Sequence, residues 1–134
     1  MVTRCKPLLG TFVAITLDEN EDPAAIEYAF SAIHKIQELM GFHRPDSELN
    51  RINRDAHTQA IDIHPWTGQV LRIAKQVHRY SKGVFNCGIG HRLVSAGLLP
   101  RQIDYSNHDL GGIEDICFLS NLKVISTSLV FLIL

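Results

Sequence analysis

The stretch from Gly41 to Gln59 reads GFHRPDSELNRINRDAHTQ, and how it is read decides the fold on either side of it. It is polar, holds Pro45 behind a basic residue, and offers Asp46 and Ser47 as caps for one short turn through Asn53. The spacing predicts a long loop carrying that turn. Arg44, Asp46, Ser47, Glu48, Asn50, Arg51 and Asn53 concentrate more hydrogen-bonding groups than a helix-to-strand connection requires. Two uses fit such a cluster: capping and solvation, or the lining of a ligand site.

Upstream of the loop, Ile26, Ala29, Phe30, Ile33, Ile36 and Met40 recur at helical spacing. Asp22 stands as N-cap, Pro23 at the first helical position needs no amide donor, and Gly41 ends the helix. Before it, Leu8 to Leu17 (LLGTFVAITL) alternates loosely and predicts a strand. Downstream, Ala60 to His64 (AIDIH) predicts a short strand. Pro65 then opens a second amphipathic helix with Trp66, Val70, Ile73, Ala74 and Val77 on its expected buried face, and Arg72, Lys75, Arg79 and Lys82 on the other. Gly83 takes the C-cap position. A glycine-rich loop feeds a short helix near Leu93 to Leu99, Pro100 to Glu114 reads as loop, and ICFL, KVIS and SLVFLIL predict three strands. The expected fold is α+β: a mainly antiparallel sheet covered on one face by two long helices, within a single domain spanning residues 1–134. A chain ending on LVFLIL is expected to present a very apolar strand in need of a neighbour, which suggests that the sheet's remaining strands lie beyond Leu134.

The 134 residues fall within one domain's range, enough to bury roughly 65–70% of the unfolded surface. Hydrophobic residues at 46%, charged residues at 20% and a mean hydropathy of +0.04 describe an ordinary globular composition. Thirteen basic against fourteen acidic side chains leave a net charge of −1, without the positive field that phosphate-backbone binding needs, so nucleic acid is not an expected partner. The longest apolar run, Leu129 to Leu134, is far shorter than the roughly 20 residues of a membrane span. Arg4, Lys6 and Pro7 precede the first apolar stretch and no small-residue cleavage pattern follows it, so no secretory signal is read and the chain as written is expected in the cytoplasm. Cys5, Cys87 and Cys117 are an odd number without paired spacing, which argues against a disulfide framework and a zinc knuckle.

Gly88 and Gly90 hint at a dinucleotide loop, but the third glycine of that fingerprint would fall on Leu93. Turning the backbone before a helix is their simpler role. The histidines at 57, 64, 78, 91 and 108 share no short helical spacing, so no metal ligands are assigned from them. Cys87, among glycines, is the best candidate for a thiol nucleophile, with a small semi-buried side chain as the alternative.

Three stretches taken together resemble the amino-terminal part of the FAD:protein FMN transferase (ApbE-like) family. Pro7-Leu8-Leu9-Gly10-Thr11 is similar to its M-G-T opening. Met40 through Asn53 is similar to its M-S-x-Y-x-x-x-S-E-l-s-r-x-N segment, and Gly83-Val84-Phe85-Asn86 through Leu93-Val94 to its G-A-F-D-x-T-V-G-P-L-V. In order, these cover most of residues 7–100. The resemblance implies an enzyme that binds FAD with Mg²⁺, cleaves the pyrophosphate and attaches FMN through a phosphoester to a Thr or Ser of a target flavoprotein.

Carried over position by position, the resemblance makes Leu9, His43, Val84, Phe85 and Asn86 the cofactor-binding candidates. Leu9 stands where the family has a flavin-contacting Met, His43 where it has Tyr, and Asn86 where it has Asp. Gly88 replaces a Thr and His91 a Pro. Asp109-Leu110-Gly111-Gly112-Ile113 spells the first half of the family's D-L-G-G-I-A-K-G, yet Glu114-Asp115 follow. Glu114 to Leu132 better resembles the hairpin before that motif. The motif lysine and the metal-binding Asp and Thr are then missing, so no catalytic or metal residue is assigned, and the expectation is a truncated chain inactive alone. Members of the family are commonly exported to the periplasm or cell envelope. Two other readings remain open: a non-catalytic flavin- or nucleotide-binding module, and a fragment associating with a partner through the strand at Ser128 to Leu134.

Overall fold

A computed structural model describes residues 1–101 and 110–134. The architecture is α+β, in two compact units, Met1–Glu38 and Leu39–Leu134. In the first, β1 (Val2–Leu8) pairs antiparallel with β2 (Thr11–Leu17), Val2 opposite Leu17 and Leu8 opposite Thr11. The expectation of a single strand from Leu8 to Leu17 therefore changes to a hairpin. Leu9 (φ 57°) and Gly10 (φ 72°) both lie in the left-handed region, as a two-residue turn matched to strand twist requires. Glycine reaches that conformation freely, whereas Leu9 does so at a cost. β1 escapes sequence pattern because it is mostly exposed and carries Arg4 and Lys6, which pair with Glu27 at 2.9 Å each. These two cations hold the Glu27 carboxyl below its usual range, Lys6 first and Arg4 second.

α1 (Ala24–Met40) follows, with the Asp22 carboxylate accepting the Ala24 N–H at 2.9 Å. Ile26, Phe30 and Met40 are buried and Ala29, Ile33 and Ile36 half-buried, the stripe that their spacing predicts.

The second unit runs α2 (Glu48–Asp55), β3 (Ile61–Asp62), α3 (Pro65–Tyr80), α4 (Gly90–Ser95), a 3₁₀ turn (Ile113–Asp115), β4 (Ile116–Ser120) and β5 (Lys123–Ser126). Its sheet has the order β3-β5-β4, antiparallel throughout, with Ile61 opposite Val124 and Cys117 opposite Ile125. Leu49, Ile52, Ile61, Ile63, Leu71, Ile113, Ile116, Val124, Val130 and Leu132 form one buried cluster over it. Burying each such side chain contributes roughly 1.5–3 kcal/mol.

Two expectations change here. α3 buries Thr67, Gly68, Leu71 and Ala74, whereas Trp66, Ile73 and Val77 are exposed and Val70 half-buried. The helix is rotated because Gly68 brings it close to the β4–β5 turn, where an added Cβ would meet the Asn121 carbonyl at 3.2 Å. Second, Ser128 to Leu134 is no strand in the sheet. Leu129 makes one parallel bridge to Leu110, and Leu129 through Leu132 are buried inside the unit. Of the Pro100–Glu114 loop, residues 102–109 lie outside the described residues, and Asp109 with them.

Candidate functional site

The polar stretch at 42–53 turns out to be an organising knot. Ser47, in extended conformation, caps α2 by accepting the Asn50 N–H at 3.1 Å. Asn50 turns back and donates to the carbonyls of Phe42 and Arg44, 2.7 Å each, closing the loop. Glu48 reaches forward: one carboxylate oxygen accepts the His64 N–H at 2.8 Å, the other the Thr67 hydroxyl. Arg51 donates to the Asp62 carbonyl. Asn53 clamps the far end of the chain, accepting the Leu132 N–H at 2.7 Å and donating to the Leu132 carbonyl at 3.0 Å. Ser47, Asn50 and Asn53 are each 1% exposed, so of the two uses open to this cluster their side chains serve the first, internal capping and tying.

The turn after α3 is the second half of the candidate site. Gly83 (φ 85°) ends the helix, its N–H reaching the His78 carbonyl at 2.9 Å. Ser81 accepts the Phe85 N–H at 2.9 Å, and His78 Nδ1 meets the Phe85 carbonyl at 2.8 Å. Asn86 Oδ1 accepts the Gly88 N–H at 2.9 Å. A rigidly tied backbone thus presents Val84, 90% exposed, and Phe85, 45% exposed, to solvent. Behind them, the Ile133 N–H donates to the Cys87 carbonyl at 2.8 Å and the Gly90 N–H to the Phe131 carbonyl at 3.0 Å.

Val84, Phe85 and Asn86 therefore share one turn. His43 is exposed in the loop before α2, its ring edge-on to Phe42 at 6.5 Å. Leu9 belongs to the first unit, at the exposed tip of the hairpin, where its N–H donates to Gln37 at 2.7 Å. Cys87 is buried and burial pushes its thiol up, away from the thiolate that a nucleophile needs. Burial, then the Arg92 charge, lowers His91. Among the described residues no group of three or more His, Cys, Asp or Glu could hold a metal ion, and the neutral Asn86 amide oxygen is engaged by Gly88. Asn86 therefore brings no carboxylate charge to the position where the family pattern has Asp. Nor is any helix long and apolar enough to cross a membrane.

Sequence reasoning noted the basic face of α3 but missed its companion. Arg72, Lys75, Gln76 and Arg79 line a groove of about 380 Å³ against Phe118 of β4. An aromatic residue in the ICFL strand was the available signal.

The α+β fold is that of a known set of enzymes' structures. It superposes on the ApbE protein of Thermotoga maritima with a TM-score of 0.80 at 18% identity, covering 98% of this chain and 46% of that one. For the flavinyl transferase ApbE of Pseudomonas stutzeri the values are 0.78, 12%, 98% and 48%, and for the flavin transferase ApbE of Vibrio cholerae 0.78, 19%, 98% and 47%. The chain thus spans about half the length of the solved structures it matches. The sequence profile of the ApbE family matches residues 9–108, and the chain belongs to that family. No curated protein matches it.

Proposed function

We propose that this chain is the flavin-binding, amino-terminal portion of an FAD:protein FMN transferase fold, both units belonging to one partial domain. The observation that carries the reading is the family match over residues 9–108, joined to a fold shared with two proteins named as flavin transferases. The turn at 84–86 suits a flavin: its backbone is fixed by Ser81, His78 and Asn86, so the exposed Phe85 ring and Val84 offer an apolar face at little ordering cost. His43, exposed in the same unit, is our second ring candidate, and Leu9 is a candidate on the resemblance alone. FAD is the expected ligand, and a flavoprotein bearing a Thr or Ser acceptor the expected partner of the complete enzyme. We expect binding without transfer from the chain on its own, a reading supported by Asn86, which offers a neutral amide already engaged by the Gly88 N–H where the family pattern has a carboxylate.

Thermal unfolding with and without FAD tests the binding, since a ligand of the folded state raises the midpoint by mass action. A cooperative transition that rises with FAD in the native chain, and rises less in Phe85→Ala, is expected. A midpoint that saturating FAD leaves unmoved would remove the flavin reading. Incubation with FAD, Mg²⁺ and an acceptor flavoprotein, read by mass spectrometry, tests the second half: a covalent FMN adduct would overturn the assignment of binding without transfer.

A further inference from the structure

The groove between α3 and β4 is unusual in how its cations are held. The Arg72 guanidinium lies 4.3 Å from the centre of the Phe118 ring and donates to the Asn121 backbone and side-chain oxygens at 3.2 and 3.3 Å. Lys75 donates to the Ile116 carbonyl. All these partners are neutral, and among the described residues neither cation meets a carboxylate within ion-pair distance. Arg79 alone does, with Glu114 at 3.3 Å, but those side chains are 66% and 43% exposed, so the pair is weak and exchangeable. Asp115 is close enough to feel Lys75, yet its carboxylate is occupied by the Ser128 hydroxyl at 2.7 Å and the Gly112 N–H at 3.1 Å.

Three cations thus stand along one helix face, with Cα positions of Arg72 and Arg79 roughly 10 Å apart at the helical rise. The Arg72 and Lys75 side chains are held before any anion arrives, which lowers the cost of binding one, and Arg79 can exchange Glu114 for it. The groove's volume of about 380 Å³ lies at the small-molecule end of binding sites. Around it the chain carries a net charge of −1, so the positive field is local and suits a compact polyanion rather than a long nucleic-acid backbone.

We propose that this groove binds a compact oligophosphate, whose successive phosphates meet Arg72, Lys75 and Arg79 while Gln76 offers a neutral donor. Guanidinium forks match phosphate oxygens two at a time, and a chain of phosphates places anionic centres along such a row. The phosphates could belong to free polyphosphate or to a nucleotide tail.

Calorimetric titration of the full chain with tripolyphosphate, ATP and ADP tests the site. Tripolyphosphate is expected to bind more tightly than about 1 mM, with affinity falling about 10-fold or more in Arg72→Gln and in Arg79→Gln. Arg54→Gln, which removes the same charge from α2 outside the groove, is expected to leave it unchanged. Equal affinity for ATP and tripolyphosphate assigns recognition to the phosphate chain; tighter ATP binding assigns it to a nucleotide tail. Failure of all three to bind below 1 mM overturns the site, as does equal weakening by Arg54→Gln and Arg72→Gln. Circular dichroism checks each variant's fold; should Arg72→Gln not fold, the exposed Arg79→Gln carries the comparison.

Discussion

Replacing Asn53 by Ala isolates the clamp between α2 and the last residues. The native amide satisfies both the N–H and the carbonyl of Leu132, a residue with 0% exposure, while Asn53 itself is 1% exposed. Alanine leaves two buried backbone groups without partners, each costing about 1–3 kcal/mol, and removes a small packed volume besides. A loss of about 3–5 kcal/mol follows. Against a typical total of about 5–15 kcal/mol that is a large share, equivalent to a fall of roughly 10–20 °C in Tm for a domain of this size. Urea unfolding gives the free energy, and hydrogen exchange at the Leu132 amide shows whether the segment opens locally. Exposed Arg54→Ala, one residue along the same helix, is the control, expected within about 0.5 kcal/mol of the native chain. A loss under about 1 kcal/mol for Asn53→Ala, with Leu132 still protected, would refute the clamp.

Gly90→Ala attacks the same segment from the other side: its Cβ would lie 2.9 Å from the Phe131 carbonyl oxygen and 3.0 Å from the Phe131 Cβ, so a loss of about 1–3 kcal/mol in urea unfolding is expected. Combined with Asn53→Ala it should cost less than the sum, because either change already frees the segment. Asp115 has a carboxyl held below its usual value by the Ser128 hydroxyl, then the Gly112 N–H. Its contribution is therefore present above the ordinary value of 3.8 and lost as pH falls through the lower folded value, so Asp115→Asn should flatten the acid limb of stability below about pH 4. Thiol labelling near pH 8 should modify exposed Cys5 first and spare Cys87 until the chain unfolds; early labelling of Cys87 would contradict its burial.

What was legible in the sequence followed from periodicity and caps. The α1 stripe, the Ser47 cap, the stop at Gly83 and the hairpin strands ICFL and KVIS are local signals with local causes. The misreadings are tertiary. β1 is an exposed strand whose pairing depends on a turn at Leu9–Gly10, which no apolar pattern announces. The face of α3 was misjudged because Trp66, Ile73 and Val77 are apolar at helical spacing, while the face actually buried holds Thr67 and Gly68 and is chosen by close approach to Asn121 and by the hydrogen bond that the Thr67 hydroxyl donates to Glu48. The last residues read as a strand by composition, yet their polar groups are taken by Asn53, Cys87 and Gly90. Of the candidate site, only the turn 84–86 is a contiguous unit in space as in sequence.

The stretch that most strongly carries the family resemblance carries folding rather than chemistry. Ser47, Glu48, Asn50 and Asn53 each fasten a different segment: their own helix, the start of α3, the preceding loop and the chain's last residues. Loss of any one leaves polar groups of this chain unpaired, so a substitution at each is expected to lower its stability. The departures from the family pattern fall elsewhere. Leu9 and His43 are exposed, where a changed side chain costs the fold little and alters chiefly what the surface can bind, and Asn86 is half-buried with its amide oxygen holding the Gly88 N–H. The proposal of binding without transfer rests on that contrast: the fastening residues that build the scaffold are present, while at the positions proposed to meet the flavin a Met, a Tyr and an Asp of the family pattern are replaced, the last by a neutral amide.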